Sequence, residues 1–209
     1  MSRRRHIAAL LLAALAAGCS SLPDKPVREV MYDFGPLAAA ATPAAEGGAP
    51  LVLGNVNASA SLETPALLYR LGYADVHQLR PYAFARWSAP PGELLEQRLR
   101  EHLGRNRPVL GAATGAALAR RGGVLPPVLR VELEEFSQVF DSPASSRGVV
   151  RVRCTVLEST PAGDRLVGQR TFTIERPAPA PDAAGGVRAL AAASDAAAQE
   201  ISAWLAQQR

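Results

Sequence analysis

The side chains equipped for chemistry are few, and their spacing does not bring them together. The chain holds two cysteines, Cys19 and Cys154, and three histidines, His6, His77 and His102. A thiol nucleophile needs a base beside it, and a metal needs ligands at turn or helix spacing; neither His77 nor His102 has a second ligand near it in sequence. His77 reads as a strand residue and His102 as a residue on the flank of a helix. Glu134 and Glu135 would supply two carboxylates for acid–base work, but adjacent side chains on a strand point to opposite faces, so they are not expected to share a proton or flank one bond. The stretch "GAATGAAL" lacks the lysine and the spacing of a phosphate cradle and is better read as a small-residue helix contact. No G-x-S-x-G elbow and no H-E-x-x-H pair occurs. Arg151 and Arg153 share one strand face and can meet an acidic partner or lipid headgroups, although charged outer positions are also the ordinary form of an amphipathic strand.

Cys19 has the most informative surroundings. Arg3, Arg4 and Arg5 precede an apolar run of eleven residues, Ile7 to Ala17. At roughly 1.5 Å per residue this covers about half of a ~30 Å hydrocarbon core, which fits the h-region of a signal peptide and not a membrane span. Ala16, Ala17 and Gly18 then place small residues directly before Cys19. The arrangement resembles the bacterial lipobox, with Ala16 where a larger aliphatic residue is usual and Leu15 one place earlier. The resemblance implies that Cys19 becomes the first residue, thioether-linked to a diacylglyceryl group and acylated on its amine. About three acyl chains then hold the protein on a bilayer, where one chain binds only marginally. Ser20 in place of aspartate implies sorting to the outer membrane, facing the periplasm.

Charge has to be read after that cleavage. Three of the 23 basic residues and none of the 19 acidic ones precede Cys19, leaving 20 against 19 and a balance of +1. A basic field for nucleic acid therefore loses its support, and no nucleic-acid partner is expected. With Cys19 consumed by lipid, Cys154 is left over. In "VVRVRCTVL" it alternates with Val150, Val152 and Val156, so its thiol is expected in the core.

These residues need elements to position them. Ser20 to about Glu29, with Pro23 and Pro26, suits a tether. "REVMYDFGP" reads as a first strand, residues 37–50 as a surface loop, and "LVLGNVNA", "PALLYRL" and "VHQLRPYAFARW" as further strands. "SAPPGELLEQRLREHLG" is the first clear helix, with Ser88 as its cap, Pro90 and Pro91 in its opening turn, Gly104 at its end, and Leu95, Leu99 and Leu103 as an apolar stripe. Residues 111–121 are alanine-rich and weakly patterned. "PVLRVELEEFSQVF", "GVVRVRCTVLES" and "RLVGQRTFTIE" read as an antiparallel meander, and a closing helix puts Val187, Leu190, Ser194, Ala197, Ile201, Trp204 and Leu205 on one face. The pattern predicts an α/β fold: a single domain with a mixed sheet and packed helices.

The run from "LLYR" through "YAFARWSAPPGELLEQRLREHL" resembles the ABC-type transport auxiliary lipoprotein family, the PqiC-like proteins, through Tyr69, Arg70, Trp87, Pro90, Pro91, Leu94, Leu95 and Leu99. Phe136, Gln138 and Phe140 in "LEEFSQVFD", then "FTIERPAP" and "EISAWL", extend the likeness. It implies a signal peptide at 1–18, a lipidated tether at 19–29 and one PqiC-like domain at 30–209, similar in fold to the amino-terminal domain of TolB. It also implies a non-catalytic subunit with no cofactor or metal, working in lipid transport between the inner and outer membranes and supporting membrane integrity. The implied partners are a mammalian-cell-entry (MCE) domain protein and ABC transporter components, with a homo-oligomer matching a symmetric tube. Tyr69, Arg70, Trp87, Pro90 and Pro91 are the candidate partner-binding residues; for Trp87 and Arg70 a purely architectural role is equally open. Two other classes stay in view: an outer-membrane assembly lipoprotein chaperoning a β-barrel, and a secreted hydrolase whose site is assembled from scattered residues.

Overall fold

A computed structural model describes residues 28–36, 48–120 and 125–208. The expected signal peptide, Cys19 and residues 37–47 of the expected loop lie outside them. β1 (Val30–Tyr32), β2 (Leu51–Ala58), β3 (Ala66–Leu71) and β4 (Asp75–Trp87) precede the helix α1 (Pro91–Leu103). Next come β5 (Val109–Gly111) and α2 (Ala112–Arg120), in the stretch where alanine hides any apolar period. The chain closes with β6 (Val128–Ser142), β7 (Ser145–Thr160), β8 (Gly163–Pro177) and α3 (Ala183–Leu205).

The eight strands form one mixed sheet organised around β6. One edge of β6 runs antiparallel to β7 from Val128↔Leu157 to Ser142↔Ser145. The other edge takes two parallel partners in succession, β2 along Val128 to Leu133 and β3 along Gln138 to Phe140. β5 lies beyond β2, β4 and then β1 lie beyond β3, and β8 lies beyond β7. This is the single-domain α/β architecture expected from the sequence, and the last three strands form the expected meander.

Where β6 changes partner, its register with β7 shifts: Leu133 faces Val152, but Glu135 already faces Arg151. Glu134 is the extra residue of a β-bulge. Glu135 therefore shares the face of Arg151, and Glu134 bonds to Arg151 and Arg153 on that same face. The expectation that the two glutamates point apart is corrected, because strict alternation restarts at a bulge.

The two longer helices, α1 and α3, cover one face of the sheet, and the short α2 lies against the other face at β2, where a Cβ on Gly115 would lie 2.8 Å from Val52 Cγ2. α3 lies across β6, β7 and β8, and α1 packs on β2 and α3. Leu95, Leu99 and Leu103 are buried, as are all seven residues read as the apolar face of α3. Gly148 on β7 lets the α3 backbone come close, since a Cβ there would lie 2.7 Å from the amide nitrogen of Leu190. Asp182 caps α3 by accepting from the Gly185 amide at 2.7 Å.

The start of α1 differs from expectation. Pro90 is the N-cap, with extended backbone (φ −51°, ψ 141°) and no capping side chain, and Ser88 instead donates its amide to Tyr32 at 2.7 Å. A residue preceding proline is kept out of helical conformation, so Pro90 stays extended and the helix can begin only at Pro91.

Candidate functional site

The candidates from the sequence fall on both sides of the sheet. Tyr69 pairs with Gln138 across β3 and β6 and turns toward the helices; its neighbour Arg70 turns to the open face. The Tyr69 ring meets Tyr82 at 4.7 Å and Phe140 at 5.9 Å. Tyr82 donates its hydroxyl to Gln138 Oε1 at 2.8 Å. The Gln138 amide nitrogen in turn donates to Ser146 Oγ at 2.8 Å and to the Asp182 carbonyl at 3.2 Å. One fully buried glutamine thereby joins β4, β6, β7 and the start of α3. Burial first, then the neighbouring Tyr69 and Asp182, push the Tyr82 phenol well above its ordinary range. Gly186 completes the node, because a Cβ there would lie 2.0 Å from Gln138 Oε1. The Phe136, Gln138 and Phe140 pattern is therefore architectural, with all three residues buried.

Arg70 forms a two-pronged contact with Glu135, Nε and Nη2 each 3.3 Å from a carboxylate oxygen, and reaches the Val76 carbonyl at 3.3 Å. Glu135 also accepts from the Ser137 hydroxyl. Arg70 thus pins the β3–β4 hairpin to β6 at the bulge.

Of the two readings open for Trp87, the structure places it in the core. It is 1% exposed and meets Phe34 and Phe136 edge-on at 5.5 and 5.6 Å. Pro91 is buried at the start of α1 and Pro90 is half-buried. Trp87 and Pro91 have no free surface for a partner, so the docking role expected of them is corrected to an architectural one.

Two residues that sequence reasoning missed make a clasp between the helices and the entry of the chain. Arg98 on α1 is 3% exposed; its Nη2 donates to the carbonyls of Phe34 and Gly35 at 2.8 Å each, and its Nη1 lies 3.4 Å from Asp195 on α3. His102, one turn on, is buried with Nε2 3.2 Å from the same Asp195 oxygen. Nothing local pairs Arg98 with Asp195, which lies on a different helix. His77 is exposed on β4, as read. Cys154 is fully buried and desolvation pushes its thiol up to about 12, so it is a core residue and not a nucleophile at neutral pH. Among the described residues no cluster of three His, Cys, Asp or Glu side chains can hold a metal ion.

The open sheet face is charged but internally balanced. Arg151 Nε lies 2.9 Å from Glu134, Arg153 pairs with Glu132 and Glu134, and Arg147 pairs with Asp141 and Glu175. Arg151 and Arg153 therefore meet partners within the sheet, which favours the wet-face reading over a headgroup site. Exposed large apolar residues gather elsewhere. Val30, Met31, Tyr73, Val76 and Phe84 lie on β1, on β4 or in the turn between β3 and β4. Met31 faces Arg86 in the register and so lies diagonal to Phe84 on one face, the two being 56% and 54% exposed.

Comparison with known proteins completes the description. The family model for the ABC-type transport auxiliary lipoprotein component matches residues 32–202. No curated protein matches the chain. Among solved structures, protein XCC0632 of Xanthomonas campestris, a DUF330 protein, superposes with a TM-score of 0.69 at 18% identity, over 84% of this chain and 94% of its own. An uncharacterized protein follows with a TM-score of 0.60 at 15% identity, over 85% of this chain and 99% of its own. These likenesses establish the fold.

Proposed function

Since the chain belongs to the ABC-type transport auxiliary lipoprotein family, we propose that it is a non-catalytic, lipid-anchored subunit on the periplasmic face of the outer membrane. It serves there as the accessory component of a system in which an MCE-domain protein and an ABC transporter move lipid between the two membranes, and it thereby supports membrane integrity. The observation that carries the reading is the family match over residues 32–202. The lipobox-like sequence before Cys19 supports the anchor, and Ser20 the outer-membrane destination. No helix among the described residues is long and apolar enough to cross a membrane.

The docking surface belongs at the β1–β4 edge, where Met31 and Phe84 stand exposed and where the chain arrives from the tether. Tyr69 and Arg70 support that surface from behind, through the Gln138 node and the Glu135 contact. Repeated copies of this contact around a symmetric tube would give a homo-oligomeric ring.

The test is photocrosslinking in intact cells from positions 31 and 84, with Cys19→Ala and Ser20→Asp as companion variants. Crosslinks to an MCE protein or transporter component are expected. Cys19→Ala should leave the protein soluble or unprocessed, and Ser20→Asp should shift it toward the inner membrane. Capture of a β-barrel assembly factor with no transport component overturns the transport reading in favour of an assembly lipoprotein.

A further inference from the structure

A cleft of about 300 Å³ opens where α3 ends over the sheet, bounded by the start of β2, the approach to β6, and facing parts of β7 and β8. Its size lies at the lower end of the range for small-molecule sites. Leu51, Val156, Val167 and Leu205 make its apolar wall. On the wall stands Arg107, from the connection between α1 and β5. Its Nε is buried without a hydrogen-bond partner, and no carboxylate among the described residues pairs with it. Arg86 and Arg147 also have an Nε buried without a well-aligned hydrogen bond, yet each lies 3.0 Å from a glutamate oxygen. Arg107 differs in having no such neighbour.

The other charges on the cleft, Arg165 and Glu158, pair with each other. Among the described residues Arg107 is therefore the charge of the cleft without an opposite partner, and the amides of Gln207 and Gln208 stand beside the opening as further hydrogen-bond donors. A buried guanidinium N–H without an acceptor is costly unless a ligand supplies one. The carboxyl end of α3 opposes an anion through its partial negative charge, so binding has to come from directed hydrogen bonds to Arg107 and not from a diffuse field.

The geometry points to a binding site for a single-chain anionic amphiphile, its acyl chain against the apolar wall and its head on Arg107. The volume equals about ten water-sized units of ~30 Å³, space for a chain of medium length. A fatty acid and a lysophospholipid share this chemistry and differ in the head, carboxylate against phosphate. The site uses none of the β1–β4 docking residues, so its failure leaves the proposed function standing, and the reverse also holds.

Trp204 gives a local readout. It is one of two tryptophans in the chain, and its ring edge lies 3.4 Å from where a Cβ on Gly168 would be, next to Val167 of the cleft wall. The full chain in phosphatidylcholine nanodiscs is titrated with 10-bromodecanoate, 10-bromodecyl phosphate and 10-bromodecanol, whose bromine quenches a nearby indole. Saturable quenching is expected with one or both anions, lost in Trp204→Phe, and at least tenfold weaker for the alcohol and for Arg107→Gln. The anion that binds more tightly identifies the head. Val167→Phe, which fills the cleft, should abolish the effect while circular dichroism confirms folding; if that variant misfolds, Arg107→Gln at its half-buried loop position still decides. Quenching that rises without saturating, or that is equal for acid and alcohol or for wild type and Arg107→Gln, overturns the site.

Discussion

Gln138→Leu should destabilise the protein measurably. The substitution nearly preserves volume, so its cost comes from hydrogen bonds. It removes the acceptor of the Tyr82 hydroxyl (2.8 Å) and the donor to Ser146 Oγ (2.8 Å) and to the Asp182 carbonyl (3.2 Å). A buried polar group left unpaired costs about 1–3 kcal/mol. The Ser146 hydroxyl can rotate toward another acceptor, whereas Tyr82 is fixed by its ring against Tyr69. The Asp182 carbonyl keeps the Gly186 amide at 2.9 Å, so the Tyr82 hydroxyl is the group that loses its partner, and the loss is about 1–3 kcal/mol against the ~5–15 kcal/mol typical of a domain. Tyr82→Phe should cost about 1–2 kcal/mol, because Gln138 keeps its two donor bonds. Urea unfolding of the full chain and the two variants, with the double variant closing the cycle, measures both effects. A coupling of about 1 kcal/mol is expected. If Gln138→Leu lies within ~0.5 kcal/mol of wild type, or the two changes simply add, the glutamine does not tie the four elements together and the reasoning fails.

Other expectations follow from the same contacts. Cys154 has its folded-state pKa raised from 9.0 to about 12, so its contribution to stability is fully present below pH 9 and is lost as pH rises through that window; an alkaline unfolding titration should show this loss reduced in Cys154→Val, and native protein should resist thiol reagents that label it once unfolded. Arg98→Met should cost about 1–3 kcal/mol by leaving the carbonyls of Phe34 and Gly35 without their donor, while the partly exposed Asp195 keeps His102, and limited proteolysis should then cut near Gly35 before any other described segment. Trp87→Ala should cost about 3–5 kcal/mol, whereas Trp87→Phe should be much milder because the indole N–H has no acceptor among the described residues; partner binding measured per folded molecule should be unchanged in Trp87→Phe, and a selective loss would return the residue to the interface.

The sequence made the elements legible wherever burial is one-sided. β7 alternates valine and Cys154 with arginine, and α3 repeats its apolar face over seven positions, so both could be read directly. The bulge at Glu134 could not be, because strict alternation is the premise on which a strand is read and a single inserted residue is invisible in composition. α2 and β5 were hidden for a different reason: alanine and glycine bury little area and mark no face. The start of α1 turned on the backbone restriction that two successive prolines impose, which outweighed the capping preference of Ser88. At the candidate site, the family pattern picked out residues that matter, but it could not separate Trp87, which fills the core, from Arg70, which braces a hairpin. Asp195 and Arg98 meet only because two helices pack, and Arg107 drew no notice because an arginine in a loop is ordinary until its surroundings are known.

β1 has only three paired residues, yet it is the first strand among the described residues. Parallel to β4, with Val30, Met31 and Tyr32 in register, it meets a pull along its axis in shear, so the rungs share the load instead of opening one after another. Directly behind it, Phe34 sits between Trp87, Phe136 and the Arg98 guanidinium, and Arg98 grips the two carbonyls that follow. On the reading that Cys19 is acylated, any drag from a partner reaching across the periplasm arrives at this point first. On that same reading, the short strand and the aromatic plug behind it are placed to act as a mechanical stop, passing tension into the helix layer before the sheet begins to unravel.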